Sequence, residues 1–520
     1  MAMLTSTPEI AAAAGRFPWA LRARVGVIVL STMLAGCTVG PSFKSPIAEA
    51  PPGWSSWQGG DASLRDADMR GNQAPVSERW YETFEDATLN ALQTRARTAN
   101  PDLRTAALHF AQSRAQRQAA AAQRGPQVNA DAGASRQQES ARGASTRLIS
   151  AIAPANSGQL VQVLSDPYNL YHAGFDASWE LDLWGRVRRS VEAADADVAA
   201  SGAALDGVRI GIAAEVARNY FELRAGQEQL RLARADLAAA EEYLELVQAR
   251  ADGGVESDLV ATRQRALLAE LAAHLPELLN QEARTINQLS LLLGERPGAL
   301  QAELQARGDA AVARALPDLA LGLPSELARR RPDIRQAEAK LHSATAAIGI
   351  AVADFYPRIT IGGKFDLESI SSRDLVEWSS RHWTIGPSLE VPIFDMGRRH
   401  SVVTLRKLKE QEAAVAYQQT VLQAWHEIDT ALSAYAAERQ RSEQLAKREK
   451  ESRDAYGLAR SLYQNGSTSF LNELDARRSM LAAQRDLADS NGHFAIRLVA
   501  IYKSLGGGAL GEESASRLPP

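Results

Sequence analysis

Apolar residues recur along this chain with two different periods, and the change of period marks its elements. From Val187 to Leu293 the period is helical. Leu223, Leu230, Leu237 and Leu244 fall every seven residues, and Val216 and Tyr220 extend the stripe upstream at coiled-coil spacing. No proline lies between Pro167 and Pro276, so nothing forces a break there. A helix from Val187 to Ala251 would run about 97 Å at 1.5 Å per residue, far longer than an ordinary globular helix. Arg250-Ala-Asp-Gly-Gly-Val-Glu-Ser257 then reads as a turn. Gly253 and Gly254 suit a left-handed C-terminal cap, and Ser257 suits the N-cap of a returning helix. That limb runs to Leu293-Gly294, with a kink predicted at Pro276.

The hairpin pattern occurs twice. Gly254 and Gly466 lie 212 positions apart, as do Glu215 and Glu427, Ser257 and Ser469, Leu259 and Leu471, and Arg265 and Arg477. Leu293-Gly294 matches Leu505-Gly506 at the same offset. Ungapped agreement over such a distance marks an internal duplication. The second long limb carries Val421, Leu422, Trp425, Ile428, Leu432 and Tyr435, and no proline occurs between Pro392 and Pro519. Earlier in each repeat, Asn100-Pro-Asp-Leu-Arg104 answers to Arg331-Pro-Asp-Ile-Arg335, and Pro126 to Pro357, at an offset of 231. The first repeat therefore carries some twenty extra residues, placed around Gln137 to Leu170 as a loop.

Between the helical stretches the period falls to two. Phe175, Ala177, Trp179, Leu181 and Leu183 alternate with Asp176, Ser178, Glu180 and Asp182. Ile359, Ile361, Phe365 and Leu367 alternate with Thr360, Lys364, Asp366 and Glu368. Trp383, Ile385, Leu389, Val391 and Ile393 alternate with Thr384, Ser388 and Glu390, and Val128, Ala130, Ala132 and Ala134 make a weaker fourth run. Each has the length and dyad pattern of a transmembrane strand, a pattern shared by soluble sheets with one wet face. An open sheet in a bilayer leaves backbone groups unpaired, so spanning strands must close into a barrel. Bacterial barrels begin at eight strands, so four strands require several copies of the chain. The loops Gln137–Leu170 and Ser369–Arg381 then project at one membrane face and the helices from the other. The faces opposite the apolar ones carry Asp176, Glu180, Asp182, Asp366, Glu368 and Glu390 against Lys364, an excess that predicts a cation-preferring pore.

Composition narrows the classes. The net charge is −4 over 520 residues, with no basic excess for nucleic acid. One cysteine excludes an intramolecular disulfide framework. Eight histidines are scattered with no HExxH or P-loop, and six methionines are dispersed, giving no case for a metal site or cofactor. Gly506-Gly-Gly508-Ala-Leu-Gly511 fits G-x-G-x-x-G, but it follows a helix near the C-terminus, where a dinucleotide site would need a preceding strand. No catalytic constellation emerges.

At the start, Arg16, Arg22 and Arg24 precede an uncharged run from Val25 to Ala35, which has the form of a signal peptide. It ends in Leu34-Ala-Gly-Cys37, which resembles the bacterial lipobox and implies acylation of Cys37 as the mature first residue. Thr38 in place of Asp then implies sorting to the outer membrane. Val39 to about Arg79 reads as an extended tether.

The whole resembles the outer-membrane efflux protein family, specifically the lipoprotein branch serving tripartite pumps of the resistance-nodulation-division type. The matching stretches are Cys37-Thr-Val-Gly-Pro-Ser-Phe, Trp80-Tyr-Glu-Thr-Phe, Trp179-Glu-Leu-Asp-Leu-Trp-Gly-Arg186 and Arg330-Arg-Pro-Asp-Ile-Arg. Ile348-Gly-Ile-Ala-Val-Ala-Asp-Phe-Tyr-Pro357 and Val391-Pro-Ile-Phe-Asp-Met-Gly-Arg398 complete them. The resemblance implies a mainly α fold with a small β part. A homotrimeric outer-membrane β-barrel, four strands per protomer, continues into a periplasmic α-helical barrel girdled by an equatorial domain. On this scheme 1–36 is signal peptide, 37–99 lipidated tether and equatorial segment, and 100–295 the first repeat. Residues 296–330 form an equatorial linker, 331–507 the second repeat and 508–520 a tail.

The resemblance also implies partners: a periplasmic adaptor, an inner-membrane pump and outer-membrane lipid, with no nucleic acid. The tips Gly254–Leu259 and Gly466–Leu471 would meet the adaptor, with Leu259 and Leu471 packing the seam and Ser257 and Ser469 capping. The family narrows its entrance with acidic residues six and nine positions after the second turn glycine. These positions are Asn472 and Asp475 here, so a single ring of Asp475 is implied, with Tyr463 as a neighbouring constriction and Arg478 as a possible local partner of Asp475. The function implied is a passive exit duct for small toxic compounds. A duct for type I protein secretion and a lipid-anchored coiled-coil scaffold of the envelope are the alternatives, the second leaving four alternating strands unexplained.

Overall fold

The computed structural model describes residues 38–47, 50–51, 59–64, 77–152, 157–305 and 330–507. Cys37, most of the tether, most of the predicted equatorial linker and the tail lie outside the described residues. The chain divides into two compact units. One takes in Gln116–Ala194 and Ser343–Glu410 together with the segment up to Phe43, and holds the sheet. The other comprises Lys44–Ala115, Asp195–His342 and the chain from Gln411 onward.

The elements repeat with the offsets in the sequence. Helix α1 (Ala87–Ala99) precedes α2 (Pro101–Ala122) and strand β1 (Gln127–Gln137). Helices α3 (Ala144–Ile152) and α4 (Ser157–Ser165) lead to β2 (Tyr168–Glu180), and the hairpin of α5 (Arg186–Asp252) and α6 (Asp258–Leu292) follows. The second repeat is α7 (Pro332–Ala353), β3 (Arg358–Ser369), β4 (Arg381–Glu390), α8 (Arg398–Gln464) and α9 (Phe470–Ser504). Helices α5 and α8 are each 67 residues long, and α6 and α9 each 35. At 1.5 Å per residue the longer pair runs about 100 Å. The chain stays helical through Pro276. No helix among the described residues is long and apolar enough to cross a membrane.

In the second unit, Val216, Tyr220, Leu223 and Leu230 are buried as the heptad stripe predicts. Leu237 and Leu244 are only half-buried, and the buried line passes instead to Ala233, Ala240 and Val247. The buried line steps over by three residues between Leu230 and Ala233 and then keeps a seven-residue spacing through Val247. The main core gathers these helices around aromatic residues. Trp80 stacks on Tyr502 with centroids 5.1 Å apart, and Phe84 meets Phe221 at 4.7 Å. Asp86 caps α1 by accepting from the Leu89 amide at 3.0 Å, and it also accepts from the Tyr220 hydroxyl at 2.5 Å. Burial and this bond push the Tyr220 hydroxyl up to about 12.

The sheet of the first unit is antiparallel throughout, in the order β1-β2-β3-β4. Three boundaries differ from the sequence pattern. Strand β2 begins at Tyr168, inside the predicted loop, and stops at Glu180 because Asp182 is recruited to start α5. Strand β4 stops at Glu390 rather than Ile393, where Pro392 has no N–H to give a ladder. The extra residues of the first repeat form helices α3 and α4 rather than an irregular loop, since their apolar residues recur at helical spacing.

Replacing Asp86 by alanine removes a helix cap and the carboxylate that accepts from a buried phenol. Thermal unfolding followed by circular dichroism should show a loss of about 1–3 kcal/mol, and Asp86→Asn, whose single amide oxygen can still cap the Leu89 amide but whose NH2 cannot accept from the Tyr220 hydroxyl, should recover only part of it.

Candidate functional site

Strand pairing sorts the sheet residues onto two faces, because residues directly opposite in neighbouring strands share a side. Ser178 pairs with Gly362, Asp176 with Lys364, Gly174 with Asp366 and His172 with Glu368. Gly362, Lys364 and Asp366 pair in turn with Gly386, Thr384 and His382. On the other side Asn129 faces Asp176, Asp131 faces Gly174 and Gly133 faces His172. This face is polar across all four strands. The opposite face carries Val128, Phe175, Trp179, Ile361, Phe365, Trp383, Ile385 and Leu389, all exposed. An apolar face of this extent, left bare in one chain, is the surface that lipid covers on a barrel strand.

The polar face is tightly knit. Asn129 donates to Asp176 at 3.2 Å, and the His172 ring lies 3.3 Å from Asp131. Lys364 meets one oxygen of Asp366 at 2.7 Å, while the other oxygen, buried, has no hydrogen-bond partner. That carboxylate fills the space over Gly174, where an added Cβ would stand 2.0 Å from Asp366 Oδ1.

Of the six predicted lumen acids, Asp176, Asp366 and Glu368 lie within this face. Glu180 ends β2 and is held bidentately by Arg186, at 2.8 and 2.7 Å. Glu390 ends β4 opposite Arg358. Asp182 is not a strand residue: it accepts from the amides of Val187 and Arg188 and caps α5, so it leaves the set. Three titratable residues join the face that the pattern had not assigned to it: Asp131, His172 and His382. Continuing the polar row by twos upstream from Asp176 would have found His172. Asp131 sits in an alanine-rich strand whose alternation is weak.

The hairpin ends form the second cluster. Gly254 and Gly466 adopt φ of 72° and 71°, the left-handed conformation that glycine takes without strain. The amide of Gly254 donates to Ala251 O and that of Val255 to Arg250 O, both at 2.9 Å. Gly466 and Ser467 repeat this with Tyr463 O and Leu462 O. Ser257 Oγ accepts from the Leu259 amide at 3.2 Å, as expected of a cap. Ser469 holds the N-cap position but makes no side-chain capping bond. Leu259 and Leu471 do not pack the seam: they are 56% and 42% exposed. The tip core is made instead by Ala240, Leu267, Leu271, Tyr463, Phe470 and Leu474.

Two phenol–carboxylate bonds join the hairpins here. Tyr463 donates to Glu256 at 2.5 Å, with the Arg250 guanidinium 5.5 Å over its ring. Tyr243 stacks on Phe470 and donates to Glu473 at 2.7 Å. Burial, then the Glu256 bond, push the Tyr463 hydroxyl up to about 12, and burial raises the Glu473 carboxyl. Tyr463 is thus a buried tip residue in this chain, not an open constriction, because Glu256 and Phe470 draw it into the seam. Asp475 is exposed. Arg478, its nearest candidate partner in sequence, pairs with Glu270 at 3.3 Å instead. Asn472 is exposed and donates to Thr468 Oγ1 at 2.7 Å. Glu256 and Glu473 were missed in the sequence because neither lies on an apolar stripe; each is paired across hairpins with a tyrosine distant in the chain.

A four-stranded sheet with one lipid-type face and one polar face, carried by a chain with two long helical hairpins, defines the class: a subunit of an outer-membrane channel. The outer membrane efflux protein family model matches residues 92–295 and 323–507, and the chain belongs to that family. It is 32% identical to the outer membrane protein OprJ of Pseudomonas aeruginosa, over 93% of this chain and 95% of that one. It is 29% identical to the toluene efflux pump outer membrane protein TtgI of Pseudomonas putida, over 92% and 96%. Among solved structures, the outer-membrane channel OprN matches with a TM-score of 0.77 and 32% identity, over 91% of this chain and 99% of that one.

Because the raised Tyr463 value means that its neutral form is favoured by the fold, the stability it contributes is complete below pH 10 and is lost as pH rises towards 12. Alkaline titration followed by tyrosinate absorbance should show a late-ionising group of tyrosines, Tyr220 and Tyr463 among them, whose amplitude falls by one tyrosine in Tyr463→Phe; an unchanged late amplitude in that variant would place Tyr463 outside this bond.

Proposed function

We propose that this protein is the passive outer-membrane duct of a tripartite efflux pump, built from three copies of the chain. The observation that carries the reading is the sheet: its apolar face is bare, and among the described residues its edge strands β1 and β4 have no outer partner. Strands of this kind are stable in lipid only when their edges are closed. Three copies supply twelve strands, with the polar faces turned to a common lumen. Small toxic compounds such as drugs, organic solutes or metals leave through it by diffusion, so no residue is asked to do catalysis.

The hairpin ends serve the periplasmic side. Leu246 and Leu458, with Leu259 and Leu471, are exposed pairs at equivalent positions of the two hairpins. They give a periplasmic adaptor apolar ground at Gly254–Leu259 and Gly466–Leu471, and the adaptor links the duct to an inner-membrane pump. The resting entrance is narrowed by three copies of Asp475, whose like charges attract cations. The Tyr463–Glu256 and Tyr243–Glu473 bonds hold the hairpins together until docking parts them. At the membrane, Cys37 carries lipid. The residues that follow it support this: the Val39 amide donates to Trp184 O at 3.1 Å and Arg189 donates to Val39 O, which fixes the tether at the foot of β2.

Two measurements test the reading. Purified protein in a planar bilayer should conduct and prefer cations in a salt gradient, because carboxylates outnumber lysine on the polar face; absence of conductance would favour a scaffold, and anion preference would reverse the faces. Asp475→Ala should raise single-channel conductance up to a few-fold and weaken block by divalent cations. Unchanged values in assembled protein would make Asp475 an ordinary surface residue.

A further inference from the structure

Both connections at one end of the sheet carry large apolar side chains that stay exposed. Between β1 and β2, helices α3 and α4 present Leu148, Ile152 and Val163; between β3 and β4 stand Ile370, Val376 and Trp378. Val163 and Trp378 are each 71% exposed. These connections are built rather than slack. Ser380 Oγ donates to Asp374 O at 2.7 Å, and Arg381 donates to Trp378 O while its guanidinium lies 4.6 Å over the indole. Thr146 Oγ1, in the first turn of α3, donates back to Ser140 O and Gly143 O.

The strand order decides what can cover them. In an antiparallel sheet of order β1-β2-β3-β4, both connections leave from the same end, and β1 and β4 are the edges. When β4 of one copy pairs with β1 of the next, the directions are already antiparallel. Paired strands lie about 4.8 Å apart. Arg381, which opens β4, therefore comes beside the end of the neighbour's β1, near Gln137. The Trp378 connection of one copy and the α3–α4 connection of the next then rise side by side. Lipid is the poorer occupant, since the strand ends below both connections are polar: Arg136, Gln137, Arg381 and His382. The chain's own second connection is also adjacent through the β2–β3 pair, where Tyr171 faces Ser369, yet it leaves these residues bare.

We propose that α3 and α4 of one copy dock against the Ile370–Trp378 connection of the next copy, so that three such contacts clasp the barrel outside the membrane. The proposal rests on the three-copy duct. Its chemistry is apolar burial centred on the indole, outside the backbone ladder that closes the barrel. The twenty-residue excess of the first repeat is then an interface element.

The test uses the full-length protein in detergent and in lipid vesicles. Its native mass is measured first; a protein that is not trimeric overturns the duct reading and this proposal with it. In the trimer, chains carrying both Val163→Cys and Val376→Cys, or Val163→Cys and Trp378→Cys, are oxidised and run without reductant. Covalent trimers reversed by reductant, at several-fold the yield from either single variant, support the clasp. Cross-links confined within one chain, or none above the single variants, overturn it, as does quenching of Trp378 fluorescence by brominated lipid. Trp378→Ala should lower the temperature at which the trimer dissociates while leaving cation preference unchanged; an unaltered dissociation temperature counts against the contact.

Discussion

A backbone N–H or C=O in hydrocarbon has no water to bond, and each one left unpaired costs several kcal/mol. Four antiparallel strands satisfy their inner ladders and leave two edges open. That deficit organises what surrounds the sheet. It accounts for a face of Val128, Phe175, Trp179, Phe365 and Trp383 that stays bare in one chain, since the same closure that pairs the edges turns this face to lipid. It also makes the duplicated chain economical, because each repeat supplies part of the wall and one long hairpin.

The polar face and the hairpin ends handle charge in different ways. On the sheet, Asp176, Asp366 and Glu368 sit among few cations, with Lys364 taken by one oxygen of Asp366. At the foot of the strands the carboxylates are neutralised in place: Glu180 by Arg186, and Asp182 by the first amides of α5. A helix N-terminus offers unpaired amides and a partial positive charge, so an acid arriving just before it is captured there. In the tip, Glu473 and Glu256 are held by tyrosine hydroxyls in an apolar seam. Burial then penalises ionisation, and the neutral phenol is the form that the fold retains.

The two repeats differ in the polar contacts of their tips. Tyr463 and Glu473 belong to the second hairpin, and their counterparts at the 212 offset, Ala251 and Ala261, carry no polar group. Leu259 and Leu471, by contrast, remain paired and exposed. Matched apolar tips with unmatched inner contacts fit hairpins that offer similar outer ground while closing on each other asymmetrically.

The duplication, the helical hairpins, their glycine turns and the existence of four strands were legible in the sequence, because period, offset and left-handed glycine are local or repeat properties. The tertiary structure alone decided the rest. It moved the seam from Leu237 to Ala240, since only the helices packed against it decide which of two adjacent rows is covered. It removed Asp182 from the strand face, since alternation cannot tell a last strand residue from a helix cap. It exposed Leu259 and buried Tyr463, since a residue's neighbour across a hairpin lies some two hundred positions away, and no local pattern records which face that neighbour will cover.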